Sequence, residues 1–149
     1  MDRLDGEILR LLQEDASQSV SDIADKIGLS TTPCWRRIQS LEKKGVISKR
    51  VALLDPEKLG LALTVFVQVK AARHDAAWLA EFAQHAENIQ QIVEFYRMSG
   101  EYDYMLKVVV ADMKAFDVFY KKLLGGIELS DVTSSFAMEQ IKYTTALPV

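Results

Sequence analysis

The apolar pattern of this chain changes period near residue 62, and that change limits what it can fold into. Before it, Leu4, Ile8, Leu11 and Leu12 recur at helical spacing, as do Val20, Ile23, Ala24 and Ile27, then Cys34, Ile38 and Leu41. After it, Leu63, Val65, Val67 and Val69 alternate with Thr64, Phe66, Gln68 and Lys70, the period of a half-buried strand. Two periods in separate blocks read as an α+β chain with a helical unit followed by a mixed one.

Residues 1–50 predict three short helices. Ser19 with Asp22 resembles a capping box for the second, and Gly28 ends it. Ser30 is an N-cap for the third helix, whose first turn tolerates Pro33. Gly45 stops that helix, and Val46-Ile47 starts a strand running through Val51–Leu54 as wing and linker. Residues 51–61 form a linker strand, broken at Asp55-Pro56. Charge singles out the same region. Residues 1–35 carry a net −4 and residues 51–149 a net −4, while residues 36–50 carry +5. A basic island on one short segment is the footprint of contact with an anionic polymer, although such a run is also how a solvated face looks.

Two helices joined by Gly28-Leu29-Ser30, the second polar and basic, read as a helix-turn-helix that enters the major groove of double-stranded DNA. Thr32 and Gln39 can bond base edges, and Arg36 and Arg37 can read guanine or clamp phosphate. Lys43, Lys44, Lys49 and Arg50 are placed to neutralise phosphates. Trp35 either packs on the strand or lies near the sugar-phosphate backbone. A three-helix interaction module is the alternative.

Residues 62–149 predict β-α-β-β-α-β, a ferredoxin-like sandwich. The helices are residues 75–87, with Leu79, Phe82, Ala83 and Ala86 inward, and one carrying Met113, Phe116, Tyr120 and Leu123 before Gly125-Gly126. The later strands are residues 89–98, 102–111 and 131–143. Phe66, Phe95, Tyr104 and Phe136 are expected to cover the open sheet face, which implies a homodimer through it. At one sheet end, Ser99-Gly100-Glu101-Tyr102-Asp103-Tyr104 gathers backbone N–H groups, a carboxylate and two phenols. That set suits a zwitterion, with Asp103 on its ammonium, although a hairpin turn explains it as well.

No nucleophile, base or metal set assembles, so an enzyme, a metal site and a cofactor are not expected. His74 and His85 read as surface residues, and Cys34 as a small buried hydrophobe. No apolar run reaches the roughly 18 residues of a membrane span. The opening Met1-Asp2-Arg3-Leu4-Asp5 lacks a signal-peptide core, and one cysteine suits a reducing compartment, so the expected location is cytoplasmic.

Leu29-Ser30-Thr31-Thr32-Pro33-Cys34-Trp35-Arg36-Arg37-Ile38, followed by Leu41–Ile47, resembles the DNA-binding helix of the Lrp/AsnC family of leucine-responsive or feast/famine regulators. Leu54-Asp55-Pro56 with Leu59-Gly60 resembles its linker, and Gly100–Tyr104 with Ser134-Ser135-Phe136 its effector-domain signatures. Thr31 replaces a proline common in the family, and Ser99 stands where threonine is frequent. The resemblance implies a winged helix-turn-helix joined to a sandwich effector domain, dimers that assemble to octamers, and an amino-acid effector held between dimers. It implies Gly100, Tyr102, Asp103 and Tyr104 as one wall of the effector site, and Thr133, Ser134 and Ser135 as the facing wall from a neighbouring subunit. The segment Ser130–Thr145 resembles most a cysteine-responsive branch, so cysteine is the first effector expected, with leucine beside it. The function implied is sequence-specific regulation of amino-acid metabolism at the nucleoid. A DNA-wrapping architectural protein and a small ferredoxin-like enzyme are the rivals.

Overall fold

In a computed structural model describing residues 1–149, helices α1 (Arg3–Glu14), α2 (Val20–Ile27) and α3 (Thr31–Lys43) begin and end at local capping signals. Asp2 and Asp5 make the reciprocal capping box of the chain: each side chain accepts the other's backbone N–H, at 3.0 and 3.1 Å. At Ser19 only half a box forms, with Asp22 N–H donating to Ser19 Oγ at 3.0 Å. Ser30 holds the N-cap of α3 without a side-chain bond. Gly28 and Gly45, at φ of 71° and 73°, let α2 and α3 close in Schellman turns. There Leu29 N–H donates to Ala24 O and Val46 N–H to Leu41 O, both at 2.9 Å.

These helices bury Ile8, Leu9, Ile23, Ala24, Cys34, Ile38 and Leu41 in one core. Cys34 is the hydrophobe its spacing suggested, and burial pushes its thiol up. The strand expected from Val46 to Leu54 does not form. Its first N–H groups, those of Val46 and Ile47, both turn back to Leu41 O, and no neighbouring strand offers the rest a ladder. The linker strand across 51–61 is absent for the same reason; a turn at Pro56–Gly60 closes instead through Leu61 N–H to Pro56 O at 2.8 Å. The compact unit so formed is Met1–Leu53 together with Ile141–Val149. Its closing segment is held by Gln13, whose side-chain amide both donates to Leu147 O and accepts from Leu147 N–H.

The second unit, Leu54–Gln140, contains β1 (Leu63–Ala71), α4 (Ala76–Glu87), β2 (Ile92–Arg97), β3 (Tyr104–Val110), α5 (Met113–Leu124) and β4 (Leu129–Phe136). The β-α-β-β-α-β order is the one its patterning predicts, and the antiparallel sheet runs β2-β3-β1-β4. Val65, Val67 and Val69 of β1 and Leu106 and Val108 of β3 are fully buried under the helices. From α4, Trp78, Phe82 and Ala86 enter this core, while Leu79 and Ala83 are only half-buried. From α5, Phe116, Phe119 and Leu123 enter, leaving Met113 exposed.

Strand register corrects two further expectations. β4 ends at Phe136, not residue 143, because its one neighbour β1 runs out: Phe136 pairs with Val65, and Ala137 N–H makes the last bond to Thr64 O. Directly paired residues share a sheet face. Tyr104 pairs with the buried Val69 and Phe95 with the buried Leu106, so both rings lie under the helices. They join Trp78 and Phe82 in a cluster with centroids 5.1–5.7 Å apart. Phe136 likewise turns to Phe116. Of the four aromatics expected on the open face, only Phe66 is there, joined by Tyr96.

His85 is not a free surface residue either. Its Nε2 donates toward Lys122 O and Leu123 O at 3.1 and 3.0 Å, tying α4 to the end of α5. Gly126 makes room for it, since a Cβ there would fall 2.1 Å from the imidazole. Gly126→Ala is expected to swing the ring out and cost about 1 kcal/mol, the worth of the lost hydrogen bonding. His85→Ala should remove the difference in a thermal-melt double-mutant cycle.

Candidate functional site

Helical spacing sorts the side chains of α3 into two sets. Cys34, Ile38 and Leu41 face the core. Thr32, Trp35, Arg36, Gln39 and Lys43 follow at i, i+3, i+4, i+7 and i+11, one continuous exposed face, with Thr31 exposed at its start. Trp35 keeps 50% of its surface exposed, far more than a packed core tryptophan. Lys49 is exposed beyond the helix.

Arg37 does not belong to that face. It stands three residues from Cys34 and four from Leu41, beside the core stripe. Its NH1 donates to Asp2 and to Asp5, each contact at 2.8 Å, binding the first turn of α1 to the middle of α3. The backbone N–H of Asp5 and then Arg37 hold the Asp2 carboxyl below its usual range. For Asp5, burial pushes upward, but the Asp2 N–H and Arg37 outweigh it and its carboxyl also falls. The Arg37 guanidinium is raised in turn. Because both carboxyls are depressed in the folded state, their stabilisation is complete above the ordinary carboxylate value and is lost as pH falls through the folded one. The first unit should therefore lose stability in strong acid, and Asp2→Asn with Asp5→Asn should flatten that loss in acid melts.

Arg50 is also engaged, 3.1 Å from Glu42, which accepts from Gln39 as well. Arg36, Lys43, Lys44 and Lys49 make no ion pair. Of the +5 island, these four cations are exposed and without a carboxylate partner.

In the second unit, the loop between β2 and β3 folds against the end of β1. Asp103 N–H donates to Val69 O at 2.9 Å, and Asp103 Oδ2 accepts Ala71 N–H at 2.8 Å. Asp103 is thus a backbone cap whose Oδ1 makes no hydrogen bond. Gly100 sits at the loop tip with φ 134°, where side chains are strained. Tyr102 OH reaches β4, 2.7 Å from Thr133 Oγ1 and 3.4 Å from Asp131 Oδ2. One chain therefore joins Tyr102 to Thr133, two residues assigned above to walls from different subunits.

The remaining residues of that constellation separate. Thr133 and Ser135 pair with Gln68 and Phe66 on the open face, whereas Ser134 pairs with Val67 and points under the helices. Tyr104 is in the core at 6% exposure. Lys70 of β1 and Asp131 of β4 come to the same place as Tyr102 and Glu101 of the loop. Lys70 Nζ lies 5.2 Å from the Tyr102 ring centroid and 3.6 Å from Glu101 Oε1. Only the register, which sets Lys70 opposite Asp131, could have brought them together.

Comparison with known proteins decides the lineage. A winged helix-turn-helix DNA-binding profile matches residues 1–48, and the Lrp/AsnC ligand binding domain matches residues 64–147. The chain belongs to the Lrp/AsnC family. The DNA-binding transcriptional activator DecR of Escherichia coli K12 is 50% identical over 150 residues, spanning 100% of this chain and 99% of the relative. An AsnC family transcriptional regulator from Agrobacterium tumefaciens, known as a crystal structure, is 58% identical with a TM-score of 0.97, over 99% of this chain and 97% of that one. A Neisseria meningitidis transcriptional regulator crystallised with L-Met is 34% identical with a TM-score of 0.95, over 99% and 96%. This Lrp/AsnC protein is a DNA-binding transcriptional regulator and not an enzyme, and no helix in it is long and apolar enough to cross a membrane.

Proposed function

We propose that this regulator recognises specific double-stranded sites near genes of amino-acid metabolism through the exposed face of α3, and that a small amino acid tunes its binding. The carrying observation is that face: Arg36 and Lys43, with Lys49 beyond the helix, are free of carboxylate partners, and Thr31, Thr32, Trp35 and Gln39 stand among them. Arg36 and Gln39 read base edges, Lys43 and Lys49 neutralise phosphates, and the thymine methyl is open to contact from Trp35. Arg37 is proposed as the brace that holds α3 and not as a reader.

The effector site is built from Gly100, Tyr102 and Asp103 on the loop and Thr133 and Ser135 on the open face of β4. Tyr104 supports it from beneath, and Ser134 joins it only through its backbone. Cysteine and leucine are the first candidates, and the L-Met bound to the Neisseria relative adds methionine. Phe66 and Tyr96 on the open sheet face support a homodimer, with octamers as the next level of assembly. A cytoplasmic, nucleoid-associated location follows from the DNA partner.

Footprinting of the full chain on genomic fragments tests the DNA reading: discrete protected sites support it, and continuous coverage supports the architectural alternative. Thermal melts with each of the twenty amino acids test the sensing reading, since a ligand of the native state raises its melting temperature. Sedimentation tests the assembly, and a monomer at micromolar concentration overturns it.

A further inference from the structure

We propose that Lys70 is the anchor for the carboxylate of the effector, and that Glu101 is a built-in stand-in which the ligand displaces. The inference rests on the reading of this sheet end as the amino-acid site. It adds a charged residue that the loop and strand signatures do not contain.

Lys70 is the cation at the centre of this cluster. Its ammonium is backed by the Tyr102 ring at 5.2 Å, which fixes its position without neutralising it. That ring is itself held by the Tyr102–Thr133 hydrogen bond at 2.7 Å. The outer side of the ammonium faces Glu101, whose carboxylate is 3.6 Å away. The two partners differ in how firmly they are held. The Lys70 side chain is 35% exposed and packed against the ring, whereas the Glu101 side chain is 77% exposed on the loop tip beside Gly100. An ion pair with so exposed a partner, beyond hydrogen-bond length, is weak and readily exchanged.

Asp131, across the strand pair from Lys70, does not take up the ammonium; its Oδ2 lies instead 3.4 Å from the Tyr102 hydroxyl. A ligand carboxylate arriving from the Glu101 side meets a positioned cation and one carboxylate free to swing away, while Asp131 stays with the Tyr102 hydroxyl. No bond is made or broken, and the exchange conserves charge at the lysine. The ligand class that fits is an α-amino acid read through its carboxylate.

The two halves of this ion pair should then respond in opposite directions. In calorimetric titrations of the full chain with L-methionine, L-leucine and L-cysteine, Lys70→Met is expected to weaken binding about tenfold, the loss of one charged contact. Lys70→Arg should restore part of it, and Glu101→Gln should tighten binding several-fold by removing the competitor. The primary amides of the same amino acids should bind wild type more weakly and be indifferent to Lys70→Met. Binding that survives Lys70→Met unchanged overturns the inference alone, as does a loss in both Lys70→Met and Glu101→Gln, the mark of an ion pair that only braces the loop. If none of the twenty amino acids binds wild type, the sensing reading falls and this inference with it. Melts of each variant show whether it is folded, and the neutral, polar Lys70→Gln carries the same test if Lys70→Met is not.

Discussion

Arg36→Ala should weaken binding to the preferred site by about 1–3 kcal/mol and relax discrimination at one base pair, the signature of a lost bidentate contact to guanine. The neighbouring Arg37→Ala should do something different in kind. Arg37 spends its guanidinium on Asp2 and Asp5, so its loss should lower the melting temperature of the first unit. The protein that remains folded should keep its base preference. Lys49→Ala completes the contrast: it should weaken all sequences alike and reduce the salt slope of binding by about one. Gel shifts on sites selected from a random pool, run beside thermal melts, separate the three outcomes. Equal affinity of wild type and Arg36→Ala for every selected sequence would remove α3's exposed face from the recognition role.

The contrast between two adjacent arginines shows what the sequence could disclose. Helical spacing alone sets Arg37 next to Cys34 and Leu41, so its distance from the reading face was available from the numbering. Its partners were not, because Asp2 and Asp5 lie more than thirty residues away and meet it only when α1 packs on α3. Locally caused features were legible throughout. The glycine stops at 28 and 45 and the β-α-β-β-α-β order depend on residues within one turn or one period. Features set by pairing were not. Val46–Leu54 has the composition of a strand, but a strand needs a neighbour, and in this chain none is offered. The same limit applies to the aromatics. Alternation says that Phe95 and Tyr104 leave one face of their strands, and only the pairing of Tyr104 with Val69 says which. The same pairing turns Ser134 away from Thr133 and Ser135, and Lys70 meets its ring and its carboxylate only because they arrive on a loop.

Asp103→Ala should lower the stability of the second unit by about 1–3 kcal/mol, because it leaves the half-buried N–H of Ala71 without its acceptor. Asp103→Asn should not, since an amide oxygen can take the same 2.8 Å bond. The pair of variants therefore divides two roles that the aspartate combines in the present reading: a cap that holds the loop against β1, and a charge for the ligand ammonium. If the second role holds, Asp103→Asn melts like wild type yet loses the melting-temperature gain that an amino acid confers. If the residue is only a cap, Asp103→Asn keeps the full ligand response and Asp103→Ala loses it in proportion to its stability. Coupling to DNA follows the same division. Ligand and DNA change each other's affinity by one common factor, with a coupling of order 1–3 kcal/mol, only if the ligand binds two states of the protein unequally. Asp103→Asn should abolish that factor for an amino acid while leaving ligand-free DNA binding intact, because the loop that carries it keeps its bond to β1.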